Sequence, residues 1–399
     1  MATIVDGKKR IPFMRGMLVS HLIQRGFDHQ DAYEIADAVR GALSKRKELP
    51  KKEIVGIVGE ILEAGYGDHQ LGDLLFWEQA PRSVTVDRKS GTRPFSKELL
   101  SHSIQASGLP PDRSYLVAKE IETRLIDERR ELVTHQELEE MTIRTLAERH
   151  GQTYADRYLV WRTWADLEKP LIILIGGASG VGKTSLAVSL ANVLDIPSVV
   201  ATDDIRQIMR LTLAREFMPA IHTSSYMVWS EVRVDDSAGL DPVIAGFREQ
   251  SKIVAVGVQA ILSRHVEENA SVIIDGVHLL PGFYDLTPYR ERAFITPVCL
   301  ALADRDAYEE RFAKRAAEAP ARAVHQYVSH LDEILKVQSD IVDWCANEDI
   351  PVIDPDSVED VTSAAVMVVM EQLQEQEEVR KILAPTGKKK GRKKGSQGR

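Results

Sequence analysis

The chain has little cysteine and no long apolar run, and each shortage excludes a class of protein. Only two cysteines, Cys299 and Cys345, occur in 399 residues, and their spacing suits neither a zinc site nor a disulfide framework. Cys299 sits in an apolar run, so a buried, reduced thiol is expected. No apolar stretch approaches the roughly 18 residues that a membrane helix needs. Met1 to Arg10 is too polar for a secretory leader. These absences predict a soluble, cytoplasmic protein without membrane contact. Acid is missing from the last twelve residues, Lys388 to Arg399, which carry seven Lys or Arg. Taking those seven from the net charge of −9 leaves −16 for the remainder. A body that acidic is a poor general binder of nucleic acid. The Gly- and Lys-rich end is expected to be a disordered tail, either solvated or touching RNA or an anionic surface.

What is present starts with Gly177-Ala178-Ser179-Gly180-Val181-Gly182-Lys183-Thr184, which fits G-x-x-x-x-G-K-[ST]. The apolar run Leu171–Ile175 reads as a buried strand before it, and Thr184–Leu194 as a helix after it. In that setting the loop glycines let backbone N–H groups turn toward a polyphosphate, and the helix N-terminus adds partial positive charge. Residues 177–184 with Ser185 are the expected ATP cradle. Lys183 would reach the β- and γ-phosphates, and the Thr184 hydroxyl would ligate Mg²⁺.

From Lys169-Pro170 onward apolar runs alternate with helical ones, which predicts an α/β domain with a parallel sheet of about five strands. The expected strands are Leu171–Ile175, Ser198–Ala201, Val272–Ile274, Thr296–Leu302 and Val352–Ile353. Asp241-Pro242 starts a long helix toward Arg264. Ligands collect at the carboxyl ends of such strands. After the second strand stand Asp203 and Asp204, then Arg206 and Arg210. Asp203 would take or orient the proton of an acceptor hydroxyl, with Asp204 beside it or capping the helix. Arg206 and Arg210 lie one turn apart, either reaching an anionic substrate or pairing with an acid such as Glu216. Asp275 ends the third strand, a position suited to holding Mg²⁺ through water. No glutamate adjoins it to activate water, which favours transfer to a bound acceptor over hydrolysis. His278 is either a substrate contact or a loop-packing histidine. Arg311 and Arg315, at i,i+4 after the fourth strand, would close over the phosphates, or else lie on a solvated helix face.

The first 150 or so residues repeat. Pro12-Phe13, Leu18, Leu22, Gly26, Tyr33, Ala36, Val39 and Leu43 recur 82 positions later as Pro94-Phe95, Leu100, Ile104, Gly108, Tyr115, Ala118, Ile121 and Leu125. Glu53-Ile54 and Leu62 return as Glu137-Leu138 and Leu146. Each copy has helical spacing behind a hairpin, with Asp6-Gly7 as the turn of the first. The aromatic run Tyr154–Trp164 reads as an inter-domain packing face. The division that follows is 1–81, 82–166, 167–384 and a tail, 385–399.

A hairpin, Pro-Phe and about four helices resemble the ATP-cone, a nucleotide-sensing module. The first copy, "IVDGKKRIPF" then "ADAVRGAL", is the better match, while the hairpin of the second, "VTVDRKSGTRPF", departs from the pattern. The resemblance implies an allosteric adenine nucleotide at Lys8, Lys9 and Arg10. Beyond it, "IGGASGVGKTSLA", "IPSVVATDDIRQIMR", "IHTSSYMVW", "SVIIDGVHLLPG" and "RDAYEERFAKRA" resemble the 2-phosphoglycerate kinase family, a P-loop kinase with an N-terminal cone. That resemblance implies transfer of the ATP γ-phosphate to the 3-hydroxyl of 2-phosphoglycerate. It implies an acceptor pocket with His222, Ser224, Ser225 and Tyr226. Other readings stay open: a kinase for a sugar, polyol or nucleotide-sugar, or a nucleotide-dependent regulator whose tail binds RNA or a partner. A homo-oligomer is compatible with all of them.

Overall fold

The computed structural model describes residues 3–6, 9–13, 15–24, 27, 29–43, 46, 48–66, 84–88, 91–128, 130–165, 167, 169–232, 239–318, 324–356 and 360–383. The basic tail and Lys8 lie outside the described residues, as do the side chains of Lys9 and Arg315. By contacts the chain forms two units, Met1–Thr85 and Val86–Arg399.

The first unit runs β1 (Thr3–Asp6), β2 (Lys9–Pro12), α1 (Arg15–Gln24), α2 (His29–Leu43), β3 (Glu48–Pro50) and α3 (Lys51–Tyr66). Strand β1 pairs antiparallel with β2 and parallel with β3. The second unit opens with the same design: β4 (Thr85–Arg88), β5 (Gly91–Pro94), α4 (Lys97–Gln105), α5 (Pro111–Asp127), β6 (Leu132–Thr134), α6 (His135–His150) and α7 (Gln152–Ala165). Its three-stranded sheet has the equivalent order, β5-β4-β6 against β2-β1-β3. The repeat is therefore structural as well as textual. Its matched positions fill matched cores: Leu18 and Leu100, Leu22 and Ile104, Val39 and Ile121, Leu43 and Leu125 are all buried. Tyr33 and Tyr115 break the rule together, at 46% and 41% exposed, because their helical positions sit at the rim of the apolar stripe.

The sheet that follows has five parallel strands in the order β11-β10-β7-β9-β8. They are β7 (Leu171–Gly177), β8 (Val199–Ala201), β9 (Val272–Asp275), β10 (Phe294–Leu300) and β11 (Val352–Ile353). Between and after them run α8 (Lys183–Val193), α9 (Thr202–Thr212), α10 (Pro242–Glu267), α11 (Arg305–Glu318), α12 (Val324–Ser329), α13 (Leu331–Asn347), α14 (Val361–Glu375) and α15 (Glu377–Leu383). Every residue of β7 is buried, because helices cover both faces of the sheet. Leu171, Ile173 and Ile175 join a core with residues of α8, α13 and α14. Ile172 and Leu174 join the opposite core with Val254, Val258 and Leu262 of α10. This is an α/β fold with flanking helices, as expected. The fourth strand begins two residues earlier than its apolar run suggests, since Phe294 already pairs with Leu171.

The second repeat shares a core with this sheet. Trp161 of α7 stacks on Trp164 at 4.5 Å and belongs to the same apolar cluster as Ile173 and Val369. Arg157 of α7 pairs with Glu371 of α14 at 2.7 Å. The aromatic run is thus the packing face that its spacing suggested. Among the described residues no helix is long and apolar enough to cross a membrane.

Gly177 closes β7 at φ +138°, and a Cβ there would lie 2.3 Å from the Leu300 carbonyl oxygen of the neighbouring strand. Gly177→Ala should therefore destabilise the fold by at least about 2 kcal/mol, measured by denaturant unfolding. An unchanged midpoint would show that the strand end is free to relax.

Candidate active site

Strand register assembles the site. In adjacent strands Ile175 pairs with Asp275, and Asp275 pairs with Ala201. The chain thus leaves β7 into the glycine-rich loop, β9 into Gly276, and β8 into Asp203, all along one row of carboxyl ends.

The loop residues 178–182 connect β7 to α8, whose N-cap is Gly182 at φ +99°. Ala178 and Val181 are buried by their side chains, so they serve the loop through backbone groups. Lys183 turns back over its own loop and donates from Nζ to the Ala178 carbonyl oxygen at 2.7 Å. Ser179, Gly180 and Ser185 complete the loop and the first turn of α8. The Thr184 hydroxyl donates to Asp275 Oδ2 at 2.8 Å. The other oxygen, Asp275 Oδ1, is buried with no hydrogen-bond partner. Burial pushes the Asp275 carboxyl above its ordinary range, and Asp203 and Asp204 add to the rise. The Thr184 hydroxyl and the Lys183 charge pull the other way. A buried carboxylate with an unused oxygen beside a threonine hydroxyl fits a hard divalent cation.

Asp203 stands in the first turn of α9 with its side chain 66% exposed, open to a ligand. It accepts from Arg206 Nε at 3.2 Å. Arg206 is only 15% exposed, and its Nη1 donates to the carbonyl oxygens of Ile221 and Thr223. Arg206 therefore holds the backbone of the Pro219–His222 turn, a task the i,i+4 spacing did not reveal. Arg210 lies further along α9, donating to Gln207 at 3.1 Å. His222 donates from Nε2 to the Leu213 carbonyl oxygen at 2.9 Å. Tyr226 is 5% exposed, packed near Tyr327 and His330, and burial raises its phenol.

One expectation needs correction. His278 is not an acceptor contact: it is 0% exposed, and both ring nitrogens are taken by Thr202 and Gln250. Burial drives its pKa down to about 4. Of the two readings of Arg311, the solvated helix face is the one the structure sets aside. Arg311 donates to the Val181 carbonyl oxygen at 3.0 Å and is paired with Asp356, which puts its guanidinium beside Gly182. The side chain of Arg315, expected beside it, lies outside the described residues. Arg10, one of the expected allosteric trio, pairs with Glu48 at 3.5 Å.

The family model of the ATP cone domain matches residues 84–167. That is the second repeat, whose hairpin looked further from the pattern than that of the first; its helices and its sheet order keep the design. A 2-phosphoglycerate kinase of Pyrococcus furiosus is 37% identical over 287 residues, covering 72% of this chain and 93% of the relative. The chain belongs to the 2-phosphoglycerate kinase family. Further members from Pyrococcus horikoshii and Methanopyrus kandleri are 36% and 34% identical, over 70% and 73% of this chain and 90% and 88% of theirs.

Sequence reasoning missed Asp356, Gln250 and Thr202. Asp356 could have been found, since it follows the fifth strand at a carboxyl end, where the sheet rule looks for ligands. Gln250 carries no such signal: a glutamine within a helix shows its partners only once the chain is folded.

Burial holds the Asp275 carboxyl above its ordinary range. A folded-state pKa above the unfolded one makes stability fall as pH rises from the unfolded value through the folded one. Without divalent cation, Asp275→Asn should therefore unfold at higher denaturant than wild type near neutral pH, with the gap narrowing in acid. Turnover should drop by at least about 100-fold. Lower stability in the variant would show that the charge is not under strain.

Proposed function

We propose that this chain transfers the γ-phosphate of ATP to the 3-hydroxyl of 2-phosphoglycerate, giving ADP and 2,3-bisphosphoglycerate. The observation that carries the reading is the placement of an exposed carboxylate, Asp203, on the same row of strand ends as the glycine-rich loop and Asp275. Membership of the 2-phosphoglycerate kinase family supplies the acceptor.

In this reading the acceptor's 3-hydroxyl oxygen attacks the γ-phosphorus while the bond to the β,γ-bridging oxygen breaks. Asp203 takes the hydroxyl proton. Lys183, released from the Ala178 carbonyl, spreads charge over the β- and γ-phosphates. Thr184 and Asp275 would hold Mg²⁺, which when bound neutralises phosphate charge and aligns the triphosphate. Arg311, already against the loop, stabilises charge that develops on the transferred group. Arg210, His222, Ser224 and Tyr226 surround the acceptor, with Arg206 fixing the turn that carries them. Planar guanidinium groups suit an acceptor with both carboxylate and phosphate. The ATP-cone match supports a second adenine nucleotide within residues 84–167.

The test is ADP release from ATP and Mg²⁺ with 2-phosphoglycerate, beside 3-phosphoglycerate, glycerate and gluconate, with Lys183→Ala as the blank and the product identified by mass. Selective turnover of 2-phosphoglycerate is expected, and Asp203→Asn should lower kcat by about 100-fold or more. Equal turnover of gluconate, or an unchanged kcat, would sink the assignment. Removing residues 1–80 should alter the ATP or ADP dependence without ending turnover; an identical nucleotide response would make the first repeat architectural.

A further inference from the structure

We propose that His278 and Gln250 are positioning residues for the phosphoryl acceptor, buried links that lock the Asp203 turn and the 219–226 segment into one arrangement. The inference rests on the reading of that segment as the acceptor's pocket.

The hydrogen bonds allow one placement of protons. Gln250, on α10 and 0% exposed, donates from Nε2 to the carbonyl oxygens of Ala220 at 2.5 Å and Thr223 at 3.1 Å. Its Oε1 is therefore the acceptor that faces His278 Nε2 at 2.9 Å. His278 then carries its proton on Nε2, and its Nδ1 accepts from the Thr202 hydroxyl at 2.8 Å. The low pKa of this histidine keeps the ring neutral, which this pattern requires. Thr202 is the residue before Asp203. Arg206 closes the circuit by bonding Asp203 on one side and the Ile221 and Thr223 carbonyls on the other. A glycine is built into the arrangement: a Cβ on Gly276 would lie 1.7 Å from Thr202 Oγ1, so only glycine lets that hydroxyl in.

Thr202, Gln250 and His278 are all 0% exposed, so none can touch a substrate. Four segments meet on them: the turn after β9, the start of α9, the middle of α10 and the 219–223 turn. Buried polar groups cost stability unless every one is satisfied, and a satisfied network holds its members rigidly. What it holds here is the Asp203 carboxylate against the acceptor turn, while Lys183 and the loop hang on a different set of bonds. Acceptor and nucleotide should therefore respond separately to its loss.

The full-length chain would be assayed as wild type, Gln250→Met, Thr202→Val and His278→Gln, with kcat and the KM of ATP and of 2-phosphoglycerate for each. Ser224→Ala serves as a direct probe of the pocket. Gln250→Met should lower kcat/KM for the acceptor by about 10- to 100-fold, the scale of a misplaced reacting group, and leave the KM for ATP unchanged. His278→Gln, which keeps an N–H toward Gln250 and an acceptor for Thr202, should lose far less. Should Gln250→Met fail to fold, Thr202→Val removes one hydroxyl and carries the same comparison. Equal losses for ATP and acceptor would overturn the inference, as would wild-type acceptor kinetics in a chain where Ser224→Ala raises the acceptor KM. If Ser224→Ala also leaves that KM unmoved, the pocket assignment fails and takes this inference with it.

Discussion

Three parallel strands end on one level, and everything chemical in the molecule hangs from that row. Strand β7 lies at the middle of the sheet with apolar residues on both faces, so it cannot slide without exposing one core or the other. Its pairing with β9 puts Asp275 beside Ile175, and the next pairing puts Ala201 beside Asp275. The glycine-rich loop, the buried carboxylate and the exposed Asp203 thereby share one edge. Short connections suffice to turn each toward the same space.

The electrostatics of that space are set by crowded carboxylates. Asp275 is ionised only at a cost, with one oxygen unserved, and two further carboxylates stand near it. Lys183 offsets part of that charge while bonding a carbonyl oxygen of the loop, and Arg311 bonds another while pairing with Asp356. A cation with a triphosphate would satisfy both sets together.

The duplicated N-terminal design shows how one sequence pattern can meet two structural fates. Both copies bury the same positions and order their strands alike. By contacts, the first forms a unit of its own, whereas the second adds Trp161 and Val160 to the core of the kinase sheet. The relative from Pyrococcus furiosus is matched over 93% of its length by 72% of this chain. More than a quarter of this chain therefore lies outside that match.

Much of this was legible before any coordinates, because it depends on local rules. The strand–loop–helix around Lys183, the five strands, the repeat and the roles open to Asp203 and Asp275 follow from period, turn chemistry and the carboxyl-end rule, all of which act over a few residues. What stayed hidden depends on groups far apart in the chain. His278 could be a ligand or a packing residue until Gln250, 28 positions away, claimed its Nε2. Arg206 could face a substrate until the carbonyls at 221 and 223 took its Nη1, and Arg311 could close over the phosphates or lie in solvent until Asp356, 45 positions away, and the Val181 carbonyl met it. A side chain's type says what it can bond to. Only the tertiary structure decides which bond it makes, because burial removes the water that would otherwise compete for it.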